Sequence, residues 1–115
     1  MKKFILSFLT AFFTLTAFAQ NDKIDSLKRL LPDQQGKEKV ATLNALTKAL
    51  GIAERYNEIG GFAKEAYDLA ESLGDADGFA VANKRLGALY FIKGNYADGE
   101  EYTHGALKYF EQTCK

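Results

Sequence analysis

Residues 73–78 read Leu73-Gly74-Asp75-Ala76-Asp77-Gly78, and residues 86–96 read Leu86-Gly87-Ala88-Leu89-Tyr90-Phe91-Ile92-Lys93-Gly94-Asn95-Tyr96. Each stretch holds a glycine followed at once by Asp or Asn. Glycine suits the left-handed residue just beyond a helix. An Asp or Asn side chain can accept hydrogen bonds from the free amides that open the next helix. Gly74 with Asp75, and Gly94 with Asn95, therefore punctuate the chain as helix stops followed by helix starts.

Working outward, the apolar residues recur at three- and four-residue intervals without sustained alternation, which predicts an all-α protein. A first short helix places Ile24, Leu27, Leu30 and Leu31 on one stripe and is stopped by Pro32. Residues 33–37 form a polar link. The second helix carries Leu43, Leu46, Ala49 and Leu50 and ends somewhere between Gly51 and Asn57. The third carries Phe62, Ala66, Leu69, Ala70 and Leu73 up to Gly74. The fourth shows Phe79, Ala82, Leu86, Leu89 and Tyr90, and the fifth Tyr102, Ala106, Tyr109 and Phe110.

An offset of 40 aligns residues 40–75 with 80–115 without a gap. Leu46 with Leu86, Ile52 with Ile92, Tyr56 with Tyr96, Ala66 with Ala106 and Glu71 with Glu111 are identical, and Phe62 with Tyr102 is conservative. These matches are expected on apolar faces and at turns, where stacked helix pairs need them. The second copy, with Leu86-Gly87-Ala88-Leu89-Tyr90, Gly94-Asn95-Tyr96 and Ala106-Leu107, resembles the tetratricopeptide repeat. The 40-residue spacing and the junction at 73–78 are similar to its longer-helix subclass, found in cell-polarity adaptors and bacterial signalling proteins. The resemblance implies a tetratricopeptide-like α-solenoid of two antiparallel helix pairs, about 40–75 and 80–113, preceded by one short helix. It implies structural roles for Leu46, Ala66, Gly74, Asp75, Leu86, Gly87, Tyr90, Gly94, Tyr96 and Ala106. Departures from the pattern are Asn83, Gly99 and Thr103 in the second copy, and Thr47 and Ile59 in the first.

The chain opens with Lys2 and Lys3, continues through an uncharged apolar run from Phe4 to Phe18, and reaches Ala17-Phe18-Ala19. That is the pattern of a secretory signal, with cleavage expected after Ala19 and a mature start at Gln20. The apolar run falls short of the ~20 residues a spanning helix needs. Stable membrane insertion is not expected once the signal is removed, and the location is expected to be periplasmic or secreted. Domain boundaries follow as 1–19 for the signal, 20–37 for the first helix and linker, and 38–115 for the repeats. The whole chain balances 15 basic against 15 acidic residues, and loss of Lys2 and Lys3 leaves the acidic side ahead by two. No clustered basic surface invites nucleic acid. Cys114 is the only cysteine, so no disulfide can form within the chain.

Little in the sequence suggests catalysis. His104 and Cys114 offer no defensible pairing, and Asp75 with Asp77 lack the alternating oxygen ligands of a calcium loop. No phosphate-binding loop, cofactor or metal is expected, and Gly60, Gly61, Gly99 and Gly105 read as glycines that weaken their helices. The repeat resemblance instead implies a groove lined by the first helix of each pair, with Asn44, Lys48, Lys84, Ala88 and Phe91 facing a protein or peptide partner. The expected function is an exported protein-interaction module, possessing the layout of the N-terminal sensory part of a sensor kinase or transcription regulator. A self-associating structural repeat protein is the alternative, and a small enzyme the last choice. The fifth helix is expected to find cover either in a homodimer or in further repeats C-terminal to Lys115.

Overall fold

The structure is a computed structural model that describes residues 19–113. The expected signal segment and Cys114 lie outside these residues, apart from Ala19. Among the described residues all regular structure is helical. The first helix, α1, covers residues 19–30 and runs without a break through the expected cleavage point between Ala19 and Gln20. A short 3-10 turn over Leu31–Asp33 contains Pro32. Four long helices follow: α2 (Gly36–Ile52), α3 (Tyr56–Leu73), α4 (Ala76–Ile92) and α5 (Tyr96–Thr113). Turns of two or three residues join them, so consecutive helices fold back on one another as αα-hairpins. Each long helix packs against the next, and α2 also reaches α4.

The helix stops have a common hydrogen-bond pattern. After α3, Gly74 is left-handed (φ 68°), its amide donates to the Glu71 carbonyl at 3.2 Å, and the Asp75 amide donates to Ala70 at 2.9 Å. This is the Schellman arrangement, which satisfies carbonyls the helix end would leave free. After α4, Gly94 (φ 82°) repeats it, with bonds from Gly94 to Phe91 and from Asn95 to Tyr90. After α2, the same pair of bonds runs from Glu54 to Gly51 and from Arg55 to Leu50, with Glu54 itself at φ 59°. That explains why the end of α2 is hard to read from sequence: the left-handed position holds a glutamate. Asp75 caps α4, its Oδ1 accepting from the Gly78 amide at 3.1 Å. Asn95 differs, because its side-chain amide donates to Asp98 Oδ2 at 2.6 Å.

The core combines Ile24 of α1, Leu46, Ala49 and Leu50 of α2, Ile59 and Ala63 of α3, and Leu86 and Leu89 of α4. A second cluster joins Leu43, Ala66 and Ala82. The stripe on α3 is thus Ile59, Ala63, Ala66 and Ala70, while Leu73 is 42% exposed. Leu30 likewise faces outward, so the α1 stripe is narrower than its sequence suggests. Helix α2 is buried on several sides, which is why Thr42, Asn44 and Thr47 are buried beside its leucines.

Close helix approaches fall at glycines. A Cβ placed on Gly87 would lie 2.5 Å from Thr103 Oγ1 and 3.1 Å from the Gly99 carbonyl, and one on Gly99 would lie 3.0 Å from the Gly87 carbonyl. A Cβ on Gly105 would meet Asn83 Nδ2 at 2.7 Å. Gly99 and Gly105 are therefore seats for α4 as well as helix-weakening residues. Between the pairs, a Cβ on Gly78 would meet Val40 Cγ1 at 2.5 Å, and the Asn44 amide donates to the Gly78 carbonyl at 3.2 Å.

Charged contacts fasten α1. Glu58, near the start of α3, is held by the Arg55 guanidinium and by Lys28 Nζ at 3.2 Å, and Arg55 also reaches Asn21 at 3.4 Å. Hydrogen bonds from Arg55 and Lys28 hold the Glu58 carboxyl below the ordinary glutamate range.

Three outcomes are expected from this architecture. Glu54→Gly removes a left-handed penalty and raises unfolding free energy by roughly 0.5–1 kcal/mol in denaturant titration. Gly87→Ala forces α4 and α5 apart and costs about 2 kcal/mol in the same assay, in the range of overpacked cores. Because the folded-state pKa of Glu58 is depressed, its stabilisation is complete above the unfolded value, roughly pH 4.3, and fades as the pH falls through the folded value. Stability measured across the acid range then drops less steeply in Glu58→Gln than in the native chain; parallel curves would show that the pair carries no linkage.

Candidate functional site

The first helices of the two pairs, α2 and α4, bring Lys48 and Ala88 to one depression of about 300 Å³ near the ends of both helices. Its walls include Thr47, Ile52, Tyr56, Ile59, Arg85, Leu89 and Ile92. Ile52 and Ile92, one repeat apart, are 57% and 56% exposed. Their identity in the two copies thus reflects a repeated exposed edge and not a repeated core position. Tyr56 packs against the main core cluster, whereas its mate Tyr96 is 67% exposed, its ring 6.1 Å from that of Phe91.

The site differs in composition from the stripe expected on α4. Lys84 is exposed and does not line the depression, and Phe91 lies toward α5, its ring 3.2 Å from where a Cβ of Gly99 would stand. Arg85, Ala88, Leu89 and Ile92 form the wall instead. Neighbouring residues on a helix point about 100° apart, so Lys84 and Arg85 serve different surfaces. Asn44 is 9% exposed, with its side-chain NH2 spent on Gly78, so it is part of the contact between α2 and α4. The Asn44 Oδ1 has no hydrogen-bond partner.

The depression is cationic at its rim and apolar on its walls. Lys48 is exposed. Arg85 is half-buried, and its Nε is enclosed without a hydrogen-bond partner. A guanidinium with unspent donors beside an ammonium suits a carboxylate, since Arg can grip both oxygens while Lys adds a point charge. Sequence alone gives no reason to choose Arg85, because its repeat mate is Ala45. Only the rotation of α4 against α2 selects it.

Leu46, Leu86, Ala66 and Ala106 are buried, Gly87 lies at the crossing of α4 and α5, and Tyr90 stacks on Tyr102 with ring centroids 5.4 Å apart. Of the two aspartates that suggest a calcium loop, Asp75 caps α4 and Asp77 accepts from the Tyr109 hydroxyl at 2.6 Å. That bond and burial push the Tyr109 phenol up. His104 is exposed on α5, and among the described residues no hydrogen bond joins it to a carboxylate. No group of three or more His, Cys, Asp or Glu residues among those described is placed to hold a metal ion. No described helix is long and apolar enough to cross a membrane. Compared with protein-family models, with curated proteins and with solved structures, the chain finds no match.

Proposed function

We propose that this chain is an exported protein-interaction module whose helix pairs stack in the tetratricopeptide manner. Its partner is a protein segment seated between α2 and α4. The observation that carries this reading is the juxtaposition of Lys48 and Arg85 with an exposed edge of Ile52 and Ile92. Exposed apolar side chains beside unspent cations describe a surface that gains by being covered. A segment pairing an aliphatic side chain with Asp, Glu or a terminal carboxylate meets both halves of that surface. Stacking is supported by three like helix stops and by the contact of α2 with α4 at Gly78. Export is supported by Lys2, Lys3, the apolar run and Ala17-Phe18-Ala19. A place at the sensory end of a kinase or transcription regulator fits the same layout.

Self-association is the second reading, and Leu107 supports it. Its repeat mate Tyr67 is half-buried against Phe79 and Tyr102, whereas Leu107 is 54% exposed on α5. Sedimentation over a range of concentrations separates the two readings, since a dimer through α5 would shift with concentration and Leu107→Glu would abolish the shift.

For the groove, peptides combining Leu or Ile with Asp or Glu are expected to bind and to raise protection of Lys48, Arg85 and Ile92 in hydrogen exchange. The double substitution Lys48→Ala with Arg85→Gln weakens binding roughly tenfold and flattens its salt dependence. Equal affinity in the double variant would remove the groove from the proposal.

A further inference from the structure

A second depression, about 590 Å³, lies between α3 and α5 with α4 as its floor, and shares no lining residue with the Lys48 and Arg85 groove. Its α4 residues, Phe79, Asn83 and Tyr90, point about 165° away from Arg85, Ala88 and Ile92 around the helix axis. The two depressions therefore open on opposite faces of α4.

The second depression has the opposite electrostatic character. Four aromatic rings meet there: Tyr67 with Phe79 at 4.5 Å, Tyr67 edge-on to Tyr102 at 5.9 Å, and Tyr90 stacked on Tyr102 at 5.4 Å. Ring faces carry negative charge density and attract cations. Asp98 and Glu101, one turn apart on α5 and both exposed, add formal negative charge at the rim. Asn83, only 5% exposed, lines the same depression, and its Oδ1 has no hydrogen-bond partner. A buried acceptor left unpaired is costly and gains from a donor that reaches it. One cation already uses the aromatic cluster from outside: Lys64 Nζ sits 5.4 Å from the Tyr67 ring centre while paired with Asp68 at 3.0 Å.

Ring faces, carboxylates and an unpaired amide carbonyl call for the same kind of group, a cation rich in hydrogen-bond donors. The geometry points to a second docking site on this face of α4, one that receives an arginine side chain from a basic protein segment. A guanidinium fits because it stacks flat on tyrosine while its edge donates to carboxylates and to the Asn83 amide. An ammonium would satisfy the carboxylates but stack less well. Binding here is independent of the Lys48 and Arg85 groove, so one helix would hold an acidic segment on one side and a basic segment on the other.

The test uses the full chain and a labelled five-residue peptide carrying two arginines, with a twin in which citrulline replaces both. Citrulline keeps the shape and removes the charge. The arginine peptide is expected to bind roughly tenfold more tightly than its twin and to lose a similar factor in Asp98→Asn with Glu101→Gln. Both substitutions lie on exposed side chains, and circular dichroism verifies that α5 survives them. The side-chain amide signals of Asn83 should shift on titration. With no tryptophan in the chain, tyrosine fluorescence gives a further readout, since half of the six tyrosines (Tyr67, Tyr90 and Tyr102) lie in the cluster. Lys48→Ala with Arg85→Gln should leave this binding unchanged, which keeps its outcome separate from that of the groove. Equal affinity for the two peptides, unmoved Asn83 signals, or shifts centred on Lys48 would each overturn the assignment.

Discussion

Among the described residues, helices come close together at glycines, where side chains are missing, and the rest of the structure depends on those approaches. Gly78 lets Val40 and Asn44 of α2 come against the opening turn of α4, and Gly87 with Gly99 lets α4 and α5 cross backbone to backbone. A helix carrying Cβ atoms at those points would stand farther off, and the leucines behind them would lose their partners. Glycine inside a helix costs about 1 kcal/mol relative to alanine. The structure accepts that cost at Gly78, Gly87, Gly99 and Gly105 because each sits against a neighbour at less than normal Cβ contact distance.

Much of this architecture was legible in the sequence. Five helices, the stop at Gly74 and the cap at Asp75 follow from patterns with a local physical cause, and local causes survive folding. The interhelical glycines were half-legible: Gly87 carries a structural role implied by the repeat resemblance, but Gly99 and Gly105 read as weaknesses, because the partner that each faces is on another helix. The end of α2 stayed blurred for a different reason. Glu54 takes a left-handed conformation that its residue type does not advertise, and only the matching bonds from Glu54 and Arg55 reveal it as the counterpart of Gly94.

The groove was less legible than the fold, since a repeat alignment fixes which residues correspond but not which way each points. Asn44 and Lys84 correspond at an offset of 40, yet Asn44 is buried under α4 and Lys84 is exposed. The difference is which helix covers each position. The contact of α2 with α4 has no counterpart beyond α4 among the described residues, and the residue types differ to suit, an amide where a helix covers it and an ammonium where none does. Ile52 and Ile92 show the converse, because both remain exposed in both copies despite their apolar character.

Net charge is a poor guide to such a surface. A chain with equal numbers of basic and acidic residues could scatter them evenly, but the depressions on the two sides of α4 carry charges of opposite sign. Lys48 and Arg85 are on one side of α4, and Asp98 and Glu101 lie beyond its other side. A shift of one residue along α4 would rotate its wall by about 100° and exchange Arg85 for Lys84 or Leu86 in the groove. The Gly74 stop and the Asp75 cap fix where α4 begins, and Gly87 against Gly99 fixes how it is rotated. The punctuation that makes the helices therefore also decides which charge each face presents.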